Sequence, residues 1–313
     1  MAAAPIHIVY CSSEDYLQYV AVSIKSLKEN TPGNQVIHVI TDSVSRKNWK
    51  RLLSEVKDCP NVEVEFHIAD DQEIKSLKLG HWTKYAWYRI LIPTILSDKI
   101  NTALYLDVDT LVLGDVRPLF KIDMEGKSVA GCLGAENCLQ ETFRRCGYES
   151  CLKYICSGVL LMNLDYWRKE CLKNSIIQWA ENKGDELKYP DQDSINYVCR
   201  ETKVILPMRY GVIGHYFSLD DFNRTYYKEE LISCLVSPII IHFANQNPWK
   251  IEIAQHPFQN EWNQYNKSLL HPSRRYYVTR GWNLVKMLLW KAIHRDDQKI
   301  PQKQDLLLSL KSL

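Results

Sequence analysis

Short β-rich runs alternate with helical patterns through the first third of the chain, and this alternation narrows the fold more than any other feature. "IHIVY" (6–10) precedes a helical pattern near Tyr16–Asn30, which Thr31-Pro32-Gly33 ends. "QVIHVI" (35–40) precedes a helical stretch from about Ser45 to Val56. "VEVEFHI" (62–68), the segment "KYAWYRILIP" (84–93) and "ALYL" (103–106) follow. Strand and helix at this spacing form βαβ units. Their crossover helices force neighbouring strands parallel and cover both faces of the sheet. The expected fold is therefore α/β, with a mainly parallel central sheet. With 313 residues, 46% of them hydrophobic and 24% charged, the chain can bury the core of one large domain or two smaller ones.

The second half is more mixed. "SGVLLMNLDYW" (157–167) has a buried-strand core followed by a turn, and "NSIIQWAENK" (174–183) reads as a helix. In "YPDQDSINYVC" (189–199), Asp191 or Asp193 is the expected N-cap of a helix through Cys199. "KVIL" (203–206) and "SPIIIHF" (237–243) read as strands.

"LYLDVDTLVLGD" (104–115) carries the chemistry. In extended backbone, residues i and i+2 project to one side, so Asp107 and Asp109 can converge on one ion while Val108 turns inward. Such a pair just after a strand fits two chemistries. In one, the first Asp attacks phosphate, as in haloacid-dehalogenase-type phosphatases. In the other, both carboxylates hold Mg²⁺ or Mn²⁺ against a nucleotide diphosphate. The phosphatase reading needs its nucleophile after the first strand and a second acidic pair, for which "SLDD" (218–221) is the candidate. The second reading needs a nucleotide-binding half before the motif, which is present, and a distant third ligand. His242, at the end of "IIIHF", is the candidate.

Six ordered segments carry a family resemblance. They are "IHIVYCSSEDYLQYVAVSIKSL", "TKYAWYRILIPTIL", "LYLDVDTLVLGDVRPLF", "CSGVLLMNLDYW", "PDQDSIN" and "IIHFANQNPWK". Over roughly residues 5–250 the chain resembles a family 8 glycosyltransferase, the family of bacterial lipopolysaccharide α-galactosyl- and α-glucosyltransferases and of glycogenin. The resemblance implies a GT-A fold with one Rossmann-like nucleotide-binding domain. It also implies transfer of galactose or glucose from a UDP-sugar to a carbohydrate or glycolipid hydroxyl, with retention of configuration. Mn²⁺ (or Mg²⁺) would be held by Asp107, Asp109 and His242. The donor would be met by Cys11, Ser12, Ser13 and Tyr16 of the first loop, by Arg89 and Val108, and by Ser157, Gly158 and Lys250. Asp191, Gln192 and Asp193 are the implied catalytic residues, with Gln192 beside the anomeric carbon. Trp82, Trp87 and Trp249 are candidates to stack on sugar or uracil, although aromatic residues more often fill cores.

Departures from the family pattern are equally specific. Cys156 stands at a position usually Asn. Ser13, beside Glu14 and Asp15, stands where an Asp usually faces uracil. Asn247-Pro248-Trp249-Lys250 replaces Lys-Pro-Trp, which leaves open whether Lys250 takes the place of the diphosphate lysine. Cys156 and Asn247 motivate a third reading, a weakly active UDP-sugar-binding relative.

Charge divides the chain unevenly. From Leu270 onward there are nine Lys/Arg and three Asp/Glu, against a whole-chain charge of +2. Within this stretch "GWNLVKMLLWKAIHR" (281–295) has apolar residues over more than half a helical circumference and basic residues on the rest. We read 1–262 as the catalytic domain and 263–313 as a basic amphipathic tail that meets an anionic membrane surface. No apolar run is long enough to span a bilayer, and "MAAAPIHIVYCSS" lacks the basic start of a signal peptide. A cytoplasmic protein, peripheral at the inner membrane face, is expected, with no nucleic-acid partner. Cys132, Cys138, Cys146, Cys151 and Cys156 cluster, but at gaps longer than usual for zinc and without an intervening His. They read as reduced thiols.

Overall fold

The computed structural model describes residues 4–80, 82–250, 256–276 and 302–312. Among the described residues there are nine strands: β1 Ile6–Cys11, β2 Gln35–Thr41, β3 Val62–Ile68, β4 Thr102–Leu106, β5 Thr110–Val112, β6 Val129–Leu133, β7 Ile155–Asn163, β8 Lys203–Leu206 and β9 Ile240–His242. Seven form one sheet in the order β3-β2-β1-β4-β7-β6-β8. β1 pairs in parallel with β2 and β4, β2 with β3, and β6 with β8. β7 runs antiparallel to both β4 and β6. The α/β architecture with a mostly parallel sheet is as expected.

The inner strands β1, β4, β7 and β6 are buried on both faces, as in a sheet covered from both sides. Along β1, Ile6, Ile8 and Tyr10 enter one core, while Val9 and Cys11 enter the other. The helix Leu17–Asn30 follows β1 and contributes Leu17, Val20, Ile24 and Leu27 to the first core. Ser45 caps the helix Arg46–Ser54 by accepting from the Asn48 N–H at 3.3 Å.

Two expectations need correction. The helix Pro190–Val198 is not capped by Asp191 or Asp193. Tyr189 is its N-cap, and Pro190 sets its first turn, where a missing N–H costs nothing. The boundary at 262/263 falls inside the helix Gln259–Lys267. Chain beyond it still packs on the domain. Leu269 and Leu310 are buried in the first core, and Glu55 accepts from the backbone N–H groups of Leu270 and His271. The stretch 281–295 lies outside the described residues.

All ten cysteines are free thiols, and no cysteine belongs to a metal-capable group among the described residues. Among the described residues no helix is long and apolar enough to cross a membrane.

Candidate active site

β1, β2 and β3 step outward in one direction, and β4 then returns to the other side of β1. The crevice at such a reversal, beyond the carboxyl ends of the strands, is where open α/β sheets bind ligands. A cleft of about 490 Å³ lies there. Cys11, Ser12, Ser13 and Tyr16 line it from the end of β1, and Asp107, Val108 and Asp109 from the end of β4. Ser157 and Gly158 of β7, Asp191 and Gln192 of the helix Pro190–Val198, Arg89, His242 and Lys250 also line it, so that of the site residues expected from the sequence all but Asp193 meet here.

Asp107 and Asp109 occupy the turn between β4 and β5. The Asp107 N–H donates to the Gly158 carbonyl at 2.8 Å, which ties this turn to β7. β5 then pairs with β9, with Thr110 opposite His242. That short ladder carries the distant histidine to the carboxylates. His242 Nε2 stands 3.4 Å from Asp107 Oδ2 and 3.3 Å from Asp109 Oδ1. Gly158 makes this possible, since a Cβ there would lie 2.1 Å from His242 Cε1.

Arg89 links the two sides of the cleft. It is only 4% exposed. Its Nη2 donates to Asp107 Oδ1 at 3.0 Å, and its Nη1 donates to the Ser157 carbonyl at 2.6 Å and faces Asp191 Oδ2 at 3.3 Å. The guanidinium also lies over the Tyr105 ring. One fixed cation thus holds two carboxylates in register.

The electrostatics follow. Burial pushes the Asp107 carboxyl up, but Arg89 and His242 outweigh it and hold its pKa well below the usual carboxylate range. Burial pushes His242 down, yet Asp109 leads the groups that raise it well above an ordinary imidazole. Burial dominates at Asp191 and raises it, with Arg89 opposing. Ligand atoms of Asp107, Asp109 and His242 all lie within 4.8 Å of one another. Two hard oxygens and one imidazole converging on one point fit a divalent ion of the Mn²⁺ or Mg²⁺ type.

Asp193 does not line the cleft. It is fully buried, paired with Arg145 through both oxygens at 3.0 and 3.2 Å, and bonded by Tyr154 Oη and the backbone N–H groups of Lys188 and Tyr189. Every acceptor position is in use, so its role is architectural. Trp87 is likewise core, whereas Trp82 and Trp249 reach the cleft wall. Trp249 is held by stacking on Tyr19.

Asn247 donates its amide to Asp109 Oδ2 at 3.1 Å, and Cys156 Sγ lies 3.5 Å from His242 Nδ1. Both departures from the family pattern therefore touch the proposed ligand set. Glu136, Tyr189 and His215 also line the cleft and were not singled out in the sequence, where no pattern connects them. "SLDD" lies elsewhere. Asp220 and Asp221 are exposed at the start of a surface helix that Asp220 caps, so the second acidic pair of a phosphatase is not supplied there.

Residues 7–252 match the sequence profile of Glycosyl transferase family 8. The chain belongs to this family. Among curated relatives, the general stress protein A of Bacillus subtilis is 26% identical over 83% of this chain and 92% of its own length. A lipopolysaccharide 1,2-glucosyltransferase of Escherichia coli is 26% identical over 75% of this chain and 70% of its own. The crystal structure of the galactosyltransferase LgtC, in complex with donor and acceptor sugar analogues, superimposes with a TM-score of 0.75. It covers 90% of this chain and 99% of LgtC at 19% identity, a likeness of GT-A fold. As a family 8 glycosyltransferase, the protein is a hexosyltransferase.

Proposed function

We propose that this family 8 enzyme transfers galactose or glucose from UDP to a hydroxyl of a carbohydrate or glycolipid, with retention of configuration and dependence on Mn²⁺ or Mg²⁺. The observation that carries this reading is the convergence of Asp107, Asp109 and His242 on the cleft floor, beside Ser157, Asp191 and Gln192. The name of the Escherichia coli relative favours a lipopolysaccharide-type acceptor.

When bound, the ion would offset diphosphate charge and stabilise the negative charge that develops on departing UDP. Cys11, Ser12, Ser13, Tyr16 and Val108 would receive the nucleotide, with Lys250 as a further cation toward the diphosphate. Arg89 keeps Asp107 ionised and fixes Asp191, which would accept hydrogen bonds from sugar hydroxyls. Ser157 and Gly158 form the wall between them.

Gln192 is held rigidly. Its Oε1 accepts from the Ser157 N–H at 2.8 Å, and its Nε2 donates to Tyr154 Oη at 3.1 Å. An amide oxygen is weakly basic, and one already accepting a hydrogen bond is a poorer nucleophile still. This favours same-face substitution, in which the leaving phosphate takes the proton of the incoming hydroxyl, over a covalent glycosyl-enzyme.

A panel of UDP-sugars tests the reading, with released UDP measured in the absence of acceptor, before and after EDTA. Mn²⁺-dependent hydrolysis of UDP-galactose or UDP-glucose is expected. Hydrolysis of a phosphomonoester in place of every UDP-sugar would overturn it.

A further inference from the structure

A second cluster of ligand-type side chains lies away from the cleft, on the outer strands of the sheet. β1, β2 and β3 pair in parallel, with Val9 opposite His38, His38 opposite Glu65, and Ile40 opposite His67. Side chains two residues apart on a strand share a face. His7, His38, Glu65 and His67 therefore project from the same side of three adjacent strands, and none of them lines the cleft.

Three atoms meet at one point. His38 Nδ1 is 3.0 Å from His67 Nε2 and 3.2 Å from Glu65 Oε2, and His67 Nε2 is 3.6 Å from the same oxygen. Zinc bonds of about 2.0–2.2 Å place neighbouring tetrahedral ligands about 3.3–3.6 Å apart. The observed triangle has nearly that edge.

The proton inventory argues the same way. Each neutral imidazole has one N–H and one lone pair, and an ionised carboxylate only accepts. Two protons cannot fit between His38 Nδ1 and His67 Nε2. A single proton there leaves at least one lone pair facing the Glu65 carboxylate. A divalent cation satisfies all three atoms at once.

His7 completes the arrangement from behind. Its Nδ1 lies 3.0 Å from His38 Nε2, the nitrogen turned away from the triangle. Metal-bound histidines commonly donate their other N–H to such an acceptor, which fixes the tautomer and orients the ring. The His38 side chain is 1% exposed, against 23% for His67 and 44% for Glu65. Solvent reaches the triangle from the Glu65 side, where a water can serve as fourth ligand.

We propose that His38, Glu65 and His67 form a zinc site distinct from the catalytic cleft, with His7 positioning His38. The site joins β2 to β3 at the edge of the sheet. Imidazole-rich coordination separates it from the oxygen-rich cleft in metal preference as well as in place.

The test uses the full chain, stripped with EDTA and titrated with Zn²⁺. Co²⁺ serves as a spectroscopic probe of coordination. To silence the cleft, the titrations are run on Asp109→Asn protein. One zinc equivalent should bind, and Co²⁺ should give the intense visible bands of four-coordinate geometry. Adding His67→Ala should abolish both signals. Glu65→Gln alters a half-exposed side chain without loss of volume, and should weaken zinc at least ten-fold in a folded protein. His7→Phe should weaken it on the order of ten-fold while preserving the Co²⁺ bands. Absence of zinc binding by the Asp109→Asn protein would overturn the proposal. So would equal zinc affinity in the folded Glu65→Gln protein, whatever the fate of the other variants.

Discussion

Gly158 and His242 are mutually dependent. The imidazole occupies the space where any side chain at 158 would begin, with Cε1, Nε2 and Nδ1 all within 2.7 Å of an added Cβ. The ring is also confined by Asp107, Asp109 and Cys156, so it cannot yield cheaply. Gly158→Ala should push the ring away from the carboxylates and weaken Mn²⁺ binding about 10- to 100-fold, with the fold kept. Mn²⁺ titration of UDP release measures this. Unchanged Mn²⁺ dependence would mean that His242 is not a ligand.

Asp107 and Asp109 should respond differently from each other. Asp107→Ala removes a proposed ligand and also leaves Arg89 with one of its two carboxylate partners. Asp109→Ala removes a proposed ligand, frees the Asn247 amide and leaves His242 with Asp107 as its carboxylate partner. Both should abolish metal-dependent turnover, while Asp107→Ala alone should also lower thermal stability appreciably. Equal melting temperatures for the two variants would contradict the bridging role of Arg89.

Gln192 and Asp193 are neighbours in sequence with opposite expected phenotypes. Gln192→Ala should slow transfer yet leave measurable activity, because leaving-group stabilisation does not pass through the amide. Asp193→Ala should destabilise the fold by about 3–5 kcal/mol, since it strands the Arg145 charge and several backbone donors. Denaturant melts and turnover of the folded fraction separate the two. A trapped glycosyl adduct on Gln192 would refute the same-face route.

That pair also marks where the sequence was legible and where it was not. In "PDQDSIN" the polar residues Asp191, Gln192 and Asp193 are indistinguishable by composition. Two steps along a helix rotate a side chain by about 200°, so Asp191 faces the cleft and Asp193 the core. Strands β1 to β4 were readable because their apolar runs are bounded by turns and helices. β6, "VAGCL", was not singled out, since small residues and Gly131 give it little strand character. The antiparallel direction of β7 was equally hidden, because a strand buried on both faces reads alike in either sense. His242 could be nominated from its strand end. Its meeting with Asp107 and Asp109 depends on the β5–β9 ladder, a pairing over more than a hundred residues that local pattern does not encode.

Lys203 offers a pH test apart from catalysis. Burial lowers its pKa to about 8, with Cys199 and Cys146 opposing, and its Nζ donates to Asn196 Oδ1 at 3.2 Å. An unfolded lysine titrates near 10.4. Between about pH 8 and pH 10.4 the unfolded chain holds a proton that the folded chain has lost, so this residue's contribution to stability rises with pH in that window. Below pH 8 both states are charged and its unfavourable burial is felt in full. Melting temperatures of the wild-type protein relative to Lys203→Met should therefore increase from pH 8 to pH 10. A flat difference would show that the ammonium is not desolvated.

The basic stretch 281–295 remains the candidate membrane contact. It lies between two segments that dock on the domain: Tyr276, whose N–H donates to the Trp249 carbonyl at 2.9 Å, and the helix Lys303–Ser312, which buries Leu310. Truncation from Asn266 onward would also break the Asn266–Ser273 hydrogen bonds and expose core, so it cannot isolate a membrane effect. Charge reversal can. Each basic residue near an anionic surface contributes about 1 kcal/mol, so Lys286→Glu, Lys291→Glu and Arg295→Glu together should weaken binding to phosphatidylglycerol-containing vesicles at least a hundred-fold at low salt. UDP-sugar hydrolysis in free solution should stay within about two-fold, because the substitutions leave every described cleft residue unchanged. Transfer to a lipid-linked acceptor in vesicles should fall with binding, since only proximity to the acceptor is lost. Vesicle binding that is unchanged by the triple variant, or insensitive to salt in the wild-type protein, would assign the stretch to packing on the domain instead.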